Sequence, residues 1–163
     1  KVSEITGKPI PAELVKKIEA AGKFGQGFGT TEYLASALID MKLHLAGDAD
    51  IDPDAFERDE LKKLGMPEEL PMRHRTPQFQ HVFASDGYSA GYYSYLWSEV
   101  LDHDAFEAFE EAGGPYDKAM AKRLHDTIMS VGNTVDPADQ YRAFRGRDPD
   151  VKAYLRDKGF PTG

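Results

Sequence analysis

The chain has 163 residues, 40% apolar and 29% charged, and its 20 basic against 28 acidic residues leave a formal charge of −8. One Trp, eight Tyr and nine Phe supply enough apolar mass for a core, which argues against disorder, and the acidic balance disfavours nucleic acid as a partner. There is no cysteine, so disulfides, thiolate metal sites and Cys nucleophiles are excluded, and no apolar run approaches the roughly 18–20 residues of a membrane span.

Helical signals run through the chain. Pro11 suits a first helical turn, Leu14, Val15 and Ile18 follow at helical spacing, and Gly22 offers a stop. Phe24-Gly-Gln-Gly-Phe-Gly29 reads as a glycine-rich loop, after which Thr30 or Thr31 caps a second helix. Tyr33, Leu34, Ala37, Leu38, Met41 and Leu45 form its predicted apolar stripe, and Gly47 ends it. Asp52-Pro53 opens a short helix ending near Gly65, and residues 71–87 read as an irregular loop. A long helix is predicted from near Tyr88 to about Ala112, closed by Gly113-Gly114, with Pro115 starting the next and Gly132-Asn133 ending it. Asp136-Pro137 opens a helix through Phe144, and Asp148-Pro149 opens the last, closed by Gly159. No alternating strand pattern of useful length occurs. The predicted fold class is therefore all-α with irregular Gly-rich loops, and residues 1–163 read as a single helical piece.

The chemistry-bearing candidates centre on Asp86-Gly-Tyr-Ser-Ala-Gly-Tyr-Tyr-Ser-Tyr-Leu-Trp97. On a helix, Tyr88, Tyr92 and Tyr95 would lie within roughly 60° of one another, with Tyr93 and Trp97 turned away. Such a row can be a core stripe. It can also be a row of phenol donors, because Gly87, Ser89, Ala90 and Gly91 leave room for another chain, and a phenol is a good donor to a developing oxyanion. His81 stands seven residues before Tyr88, and a short turn would bring both to one place, although a lone loop histidine is also commonly structural. Arg73-His74-Arg75 is the tight basic cluster of the middle of the chain and has the charge to hold one carboxylate. The glycines at 25, 27 and 29 lack the Gly-Lys-Ser/Thr of a phosphate loop. The five histidines show no His-Glu-x-x-His pattern; His103 and its neighbours Asp102 and Asp104 read as exposed helix-surface groups, and no metal ligand is assigned.

Phe79-Gln-His81, followed by the tyrosine segment through Ser98-Glu99-Val-Leu, resembles the C-terminal region of the M3 zinc peptidases, the thimet oligopeptidase and dipeptidyl carboxypeptidase family. Thr6-Gly-Lys-Pro-Ile-Pro11, Phe24 to Leu34 and Tyr141-Arg-Ala-Phe-Arg-Gly-Arg147-Asp-Pro149 resemble further family segments in the right order. The resemblance implies a C-terminal piece of a mostly helical channel enzyme, with Zn2+ bound by residues before Lys1, short peptides as substrates and the missing N-terminal portion as its partner. It implies that Tyr95 stabilises the oxyanion and that His81, Tyr88 and, less directly, Tyr92 contact substrate; Arg75 is a candidate for the substrate carboxylate by charge and position. The spacing from His81 to Tyr88 is more similar to the bacterial dipeptidyl carboxypeptidases. That implies release of C-terminal dipeptides in the cytoplasm or periplasm, cytoplasm preferred, with internal cleavage or a non-catalytic helical interaction module as alternatives. The 163 residues alone are expected to be inactive.

Overall fold

The structure, a computed structural model, describes Ser3 and residues 5–163. All extended secondary structure among them is helical, and no β-strand forms. Packing divides the chain into two compact units, Lys1–Tyr93 and Ser94–Gly163.

The first unit holds α1 (Ala12–Gly22), α2 (Gln26–Leu45), α3 (Pro53–Lys63), a 3₁₀ turn at Thr76–Gln78 and α4 (Gln80–Phe83). The expected loop through Gly29 is shorter than predicted. Gly25, at φ 75°, takes a left-handed conformation open to glycine, so α2 begins at Gln26 and neither Thr30 nor Thr31 caps it. Gly27 and Gly29 lie inside the helix. α3 follows the sequence rule: Asp52 accepts from the Ala55 N–H at 2.8 Å with Pro53 at the first helical position. Residues 71–87, expected to be irregular, contain both the 3₁₀ turn and α4.

The α2 stripe also departs from expectation. Its buried residues are Ala35, Ser36, Ala37, Ile39 and Asp40, while Leu34, Leu38 and Leu45 are exposed. Small side chains let a neighbouring turn approach α2 closely, and the larger leucines fall on the opposite side. Ala35, Ala37 and Ile39 join Leu61, Met72, Phe79, Val82 and Tyr92 in the core of this unit. α1 buries no residue.

The second unit holds α5 (Ser94–Glu111), α6 (Lys118–Leu124), a wide helical turn at His125–Met129, α7 (Pro137–Arg145) and α8 (Lys152–Lys158). α6 starts at Lys118 rather than at Pro115, because Asp117 supplies the cap, accepting from the Met120 N–H at 2.8 Å. Asp136 caps α7 through the Ala138 N–H at 2.9 Å, and Gly146, at φ 80°, ends it. α5 packs along α8. Val100, Ala108, Tyr141, Phe144, Ala153 and Tyr154 are buried, and full burial of a side chain such as Phe144 contributes about 1.5–3 kcal/mol.

Asp104, expected on the surface, is fully buried. Arg147 grips it through Nη1 at 2.9 Å and Nη2 at 2.5 Å, the Tyr141 hydroxyl donates at 2.6 Å and the Asp150 N–H at 3.3 Å. Burial pushes the Asp104 carboxyl pKa up, but Arg147, Tyr141 and the Asp150 N–H outweigh it and hold the carboxyl below its ordinary range. Burial, followed by the Asp104 bond, raises the Tyr141 phenol well above its usual value. His103, also expected to be exposed, is half-buried, with its ring edge-on to Tyr154, Nδ1 2.7 Å from the Glu99 carbonyl and Nε2 3.1 Å from Asp157.

Candidate substrate-binding turn

Residues 84–93 are not the start of a helix. The helix begins only at Ser94, so Tyr88, Tyr92 and Tyr95 do not share a helical face. Ala90 sits at φ +53°, a left-handed conformation that interrupts any helix running through it. The Gly91 N–H closes a turn on the Tyr88 carbonyl at 3.0 Å, where a Cβ on residue 91 would lie 3.4 Å from that oxygen.

Two neighbours hold this turn. Asp40, deep in α2, accepts from the Ala90 N–H at 3.1 Å with Oδ1 and from the Tyr92 N–H at 3.0 Å with Oδ2. The Ser89 hydroxyl donates to the Val82 carbonyl of α4 at 3.0 Å. A buried carboxylate thus takes backbone donors that a helix would have turned inward to its own carbonyls.

The turn brings His81 and Tyr88 together. Their rings stack with centroids 4.1 Å apart and planes 26° from parallel, and both side chains are solvent-exposed, Tyr88 at 42%. An imidazole and a phenol stacked side by side form an aromatic surface with polar ring atoms, suited to a peptide backbone and an apolar side chain.

Tyr92 lies elsewhere. It is 6% exposed, stacks on Tyr33 at 5.0 Å and receives the edges of Phe79 and His81. Its hydroxyl accepts from Arg73 at 2.5 Å and its carbonyl from the Tyr33 hydroxyl. Tyr92 is therefore a core residue that anchors the turn, with no phenol face open to a ligand. Tyr95 stands in the first turn of α5 at 41% exposure, in the second unit.

The basic cluster is engaged by the fold. Arg75 pairs with Asp54 at 2.7 Å and with buried Glu57 at 2.6 Å, Glu57 also accepting from the Thr76 N–H and hydroxyl at 2.8 and 2.9 Å. Arg73 binds Tyr92, and His74 stacks on Phe79 at 5.1 Å. Arg75 therefore braces the α3–3₁₀ junction. Asp40 and Glu57, which sequence reasoning passed over, organise this region. The available signal was a single acid, Asp40, inside the apolar run Leu38-Ile-Asp-Met41.

Among the described residues, no three of His, Asp and Glu converge to hold a metal ion, and no helix is long and apolar enough to cross a membrane. A sequence model described as Peptidase family M3 matches residues 1–160. The chain belongs to that peptidase family. It is 34% identical over 158 residues to the dipeptidyl carboxypeptidase of Salmonella typhimurium, covering 94% of this chain and 23% of that protein. It is 38% identical over 160 residues to oligopeptidase A of Escherichia coli, with the same coverage of 94% and 23%. Saccharolysin of Saccharomyces cerevisiae is 28% identical over 158 residues, covering 94% of this chain and 22% of that protein. The chain thus spans under a quarter of the length of these curated relatives.

Proposed function

We propose that these residues form the substrate-binding C-terminal part of a zinc-dependent peptidase that hydrolyses short peptides and releases C-terminal dipeptides. The exposed His81–Tyr88 ring pair on a fixed turn carries the reading, because a stacked imidazole and phenol at the surface present an aromatic face and polar ring edges to a peptide. His81 and Tyr88 bind the peptide. The Tyr95 phenol, exposed at the start of α5, donates to the oxygen that gains charge as the scissile carbonyl becomes tetrahedral. Zinc would be held in the complete polypeptide by ligands outside this chain and would supply the activated water. The same polypeptide's remaining portion is the proposed partner, and its contact would cover apolar groups now exposed, such as Leu14, Ile18, Phe24 and Leu45.

Internal cleavage is the second reading. It is supported by the engagement of Arg75 with Asp54 and Glu57, which gives that guanidinium partners within the chain. Comparing a free-acid peptide with its C-terminal amide on the complete enzyme separates the two. Dipeptide release predicts that amidation abolishes most turnover; equal cleavage of both would replace it with the oligopeptidase reading.

A further inference from the structure

We propose that Asp40 is a positioning residue for the peptide-binding turn: its buried carboxylate fixes Tyr88 against His81 by holding the backbone two and four residues beyond Tyr88. The inference rests on the reading of Tyr88 and His81 as substrate contacts.

Asp40 has a side chain with no solvent exposure. A buried carboxylate is costly unless its oxygens are satisfied, and here each oxygen takes one backbone N–H of the turn. The two donors, Ala90 and Tyr92, flank Gly91, whose own N–H bonds to the Tyr88 carbonyl. The carboxylate therefore closes over the one peptide unit that reverses the chain. It also stabilises Ala90 at φ +53°, a left-handed conformation unfavourable for an alanine without external support. The other face of Asp40 is held by α2 itself: His44 Nδ1 lies 2.8 Å from the Asp40 carbonyl and 2.9 Å from Oδ1. The His44 ring in turn stacks on Phe83 of α4 at 5.6 Å. Helix α4 carries His81, so the same acid connects the elements bearing both rings of the pair.

Tyr33 and Ser89 fasten the ends of the turn, through the Tyr92 carbonyl and the Val82 carbonyl. Asp40 acts on its centre. Asn at this position keeps the shape but points an amide N–H at a backbone N–H, so one bond is lost and one donor is left facing another. The turn would still form, with Tyr88 released from a single position.

The test uses the complete enzyme. In the unaltered protein, residue-resolved hydrogen exchange should show the Ala90 and Tyr92 amides protected although they lie in a turn; rapid exchange at either overturns the proposal, and this arm needs no variant to fold. Asp40→Asn should speed exchange across 84–93 by about tenfold or more, the loss expected for one hydrogen bond to a charged group. Adding Ala90→Gly, which removes the left-handed penalty, should restore part of that protection. Kinetically, Asp40→Asn should lower kcat/KM for a short peptide by about tenfold, mainly through KM, and should have less than about twofold effect once Tyr88 is already Ala. An equal kinetic loss in both backgrounds would mean that Asp40 acts through stability alone and would overturn the positioning role. If Tyr88→Ala by itself leaves kcat/KM unchanged, the substrate role of Tyr88 fails, and the exchange arms still decide whether Asp40 holds the turn.

Discussion

Replacing Asp104 with Ala should destabilise the second unit more than any surface substitution. The carboxylate is fully buried and accepts from two nitrogens of Arg147, from Tyr141 and from the Asp150 N–H, while Arg145 Nε lies 3.5 Å away. Breaking a buried ion pair by deleting one partner costs about 3–5 kcal/mol, because the other charge is left uncompensated. Two features place the cost at the lower end. Arg147 is 40% exposed and regains water, and Arg145, though only 7% exposed, keeps Glu111 at 2.6 Å. The expectation is a loss of about 3 kcal/mol, which lowers the urea midpoint by about 1–3 M for ordinary slopes. Trp97, exposed on α5 in this unit, reports the transition by fluorescence. The pH dependence carries a second signature. The folded Asp104 pKa lies below its unfolded value, so its stabilisation is complete above about pH 4 and is lost as pH falls through the folded value. The gap between parent and Asp104→Ala should therefore narrow only below about pH 4. A loss under 1 kcal/mol, or a gap that closes between pH 5 and 7, would refute the account of this cluster.

Tyr95→Phe in the complete enzyme should cut kcat by about 10²–10³ with a smaller change in KM, the usual loss for one oxyanion donor; a drop below threefold would remove Tyr95 from that role. Arg75→Ala should leave the ratio of free-acid to amide cleavage unchanged and should lower the thermal midpoint, because Glu57, 2% exposed, would lose its guanidinium partner. A collapse of that ratio with no change in melting would return Arg75 to substrate binding.

What was legible in the sequence was local. Asp52 before Pro53 and Asp136 before Pro137 each announce a helix start, and both cap as their side chains require. The all-α class follows from such signals without any tertiary knowledge. The tyrosine segment misled for a tertiary reason. Its spacing suits a helix, but Asp40, about fifty residues earlier, takes the Ala90 and Tyr92 N–H groups and moves the helix start to Ser94. Tyr92 consequently enters the core and Tyr88 stays outside, a division that periodicity cannot show. Asp104 was misread in the same way: an acid beside two polar neighbours looks solvated until Arg147 and Tyr141 arrive from some forty residues later. On α2, burial of small residues rather than leucines reflects the close approach of the turn that Asp40 holds.

The most direct test of the substrate-binding claim is a crystal structure of the complete enzyme with a bound, uncleavable peptide analogue. The account predicts the peptide lying against the His81–Tyr88 ring pair. A peptide seated elsewhere, with both rings facing solvent, would contradict it.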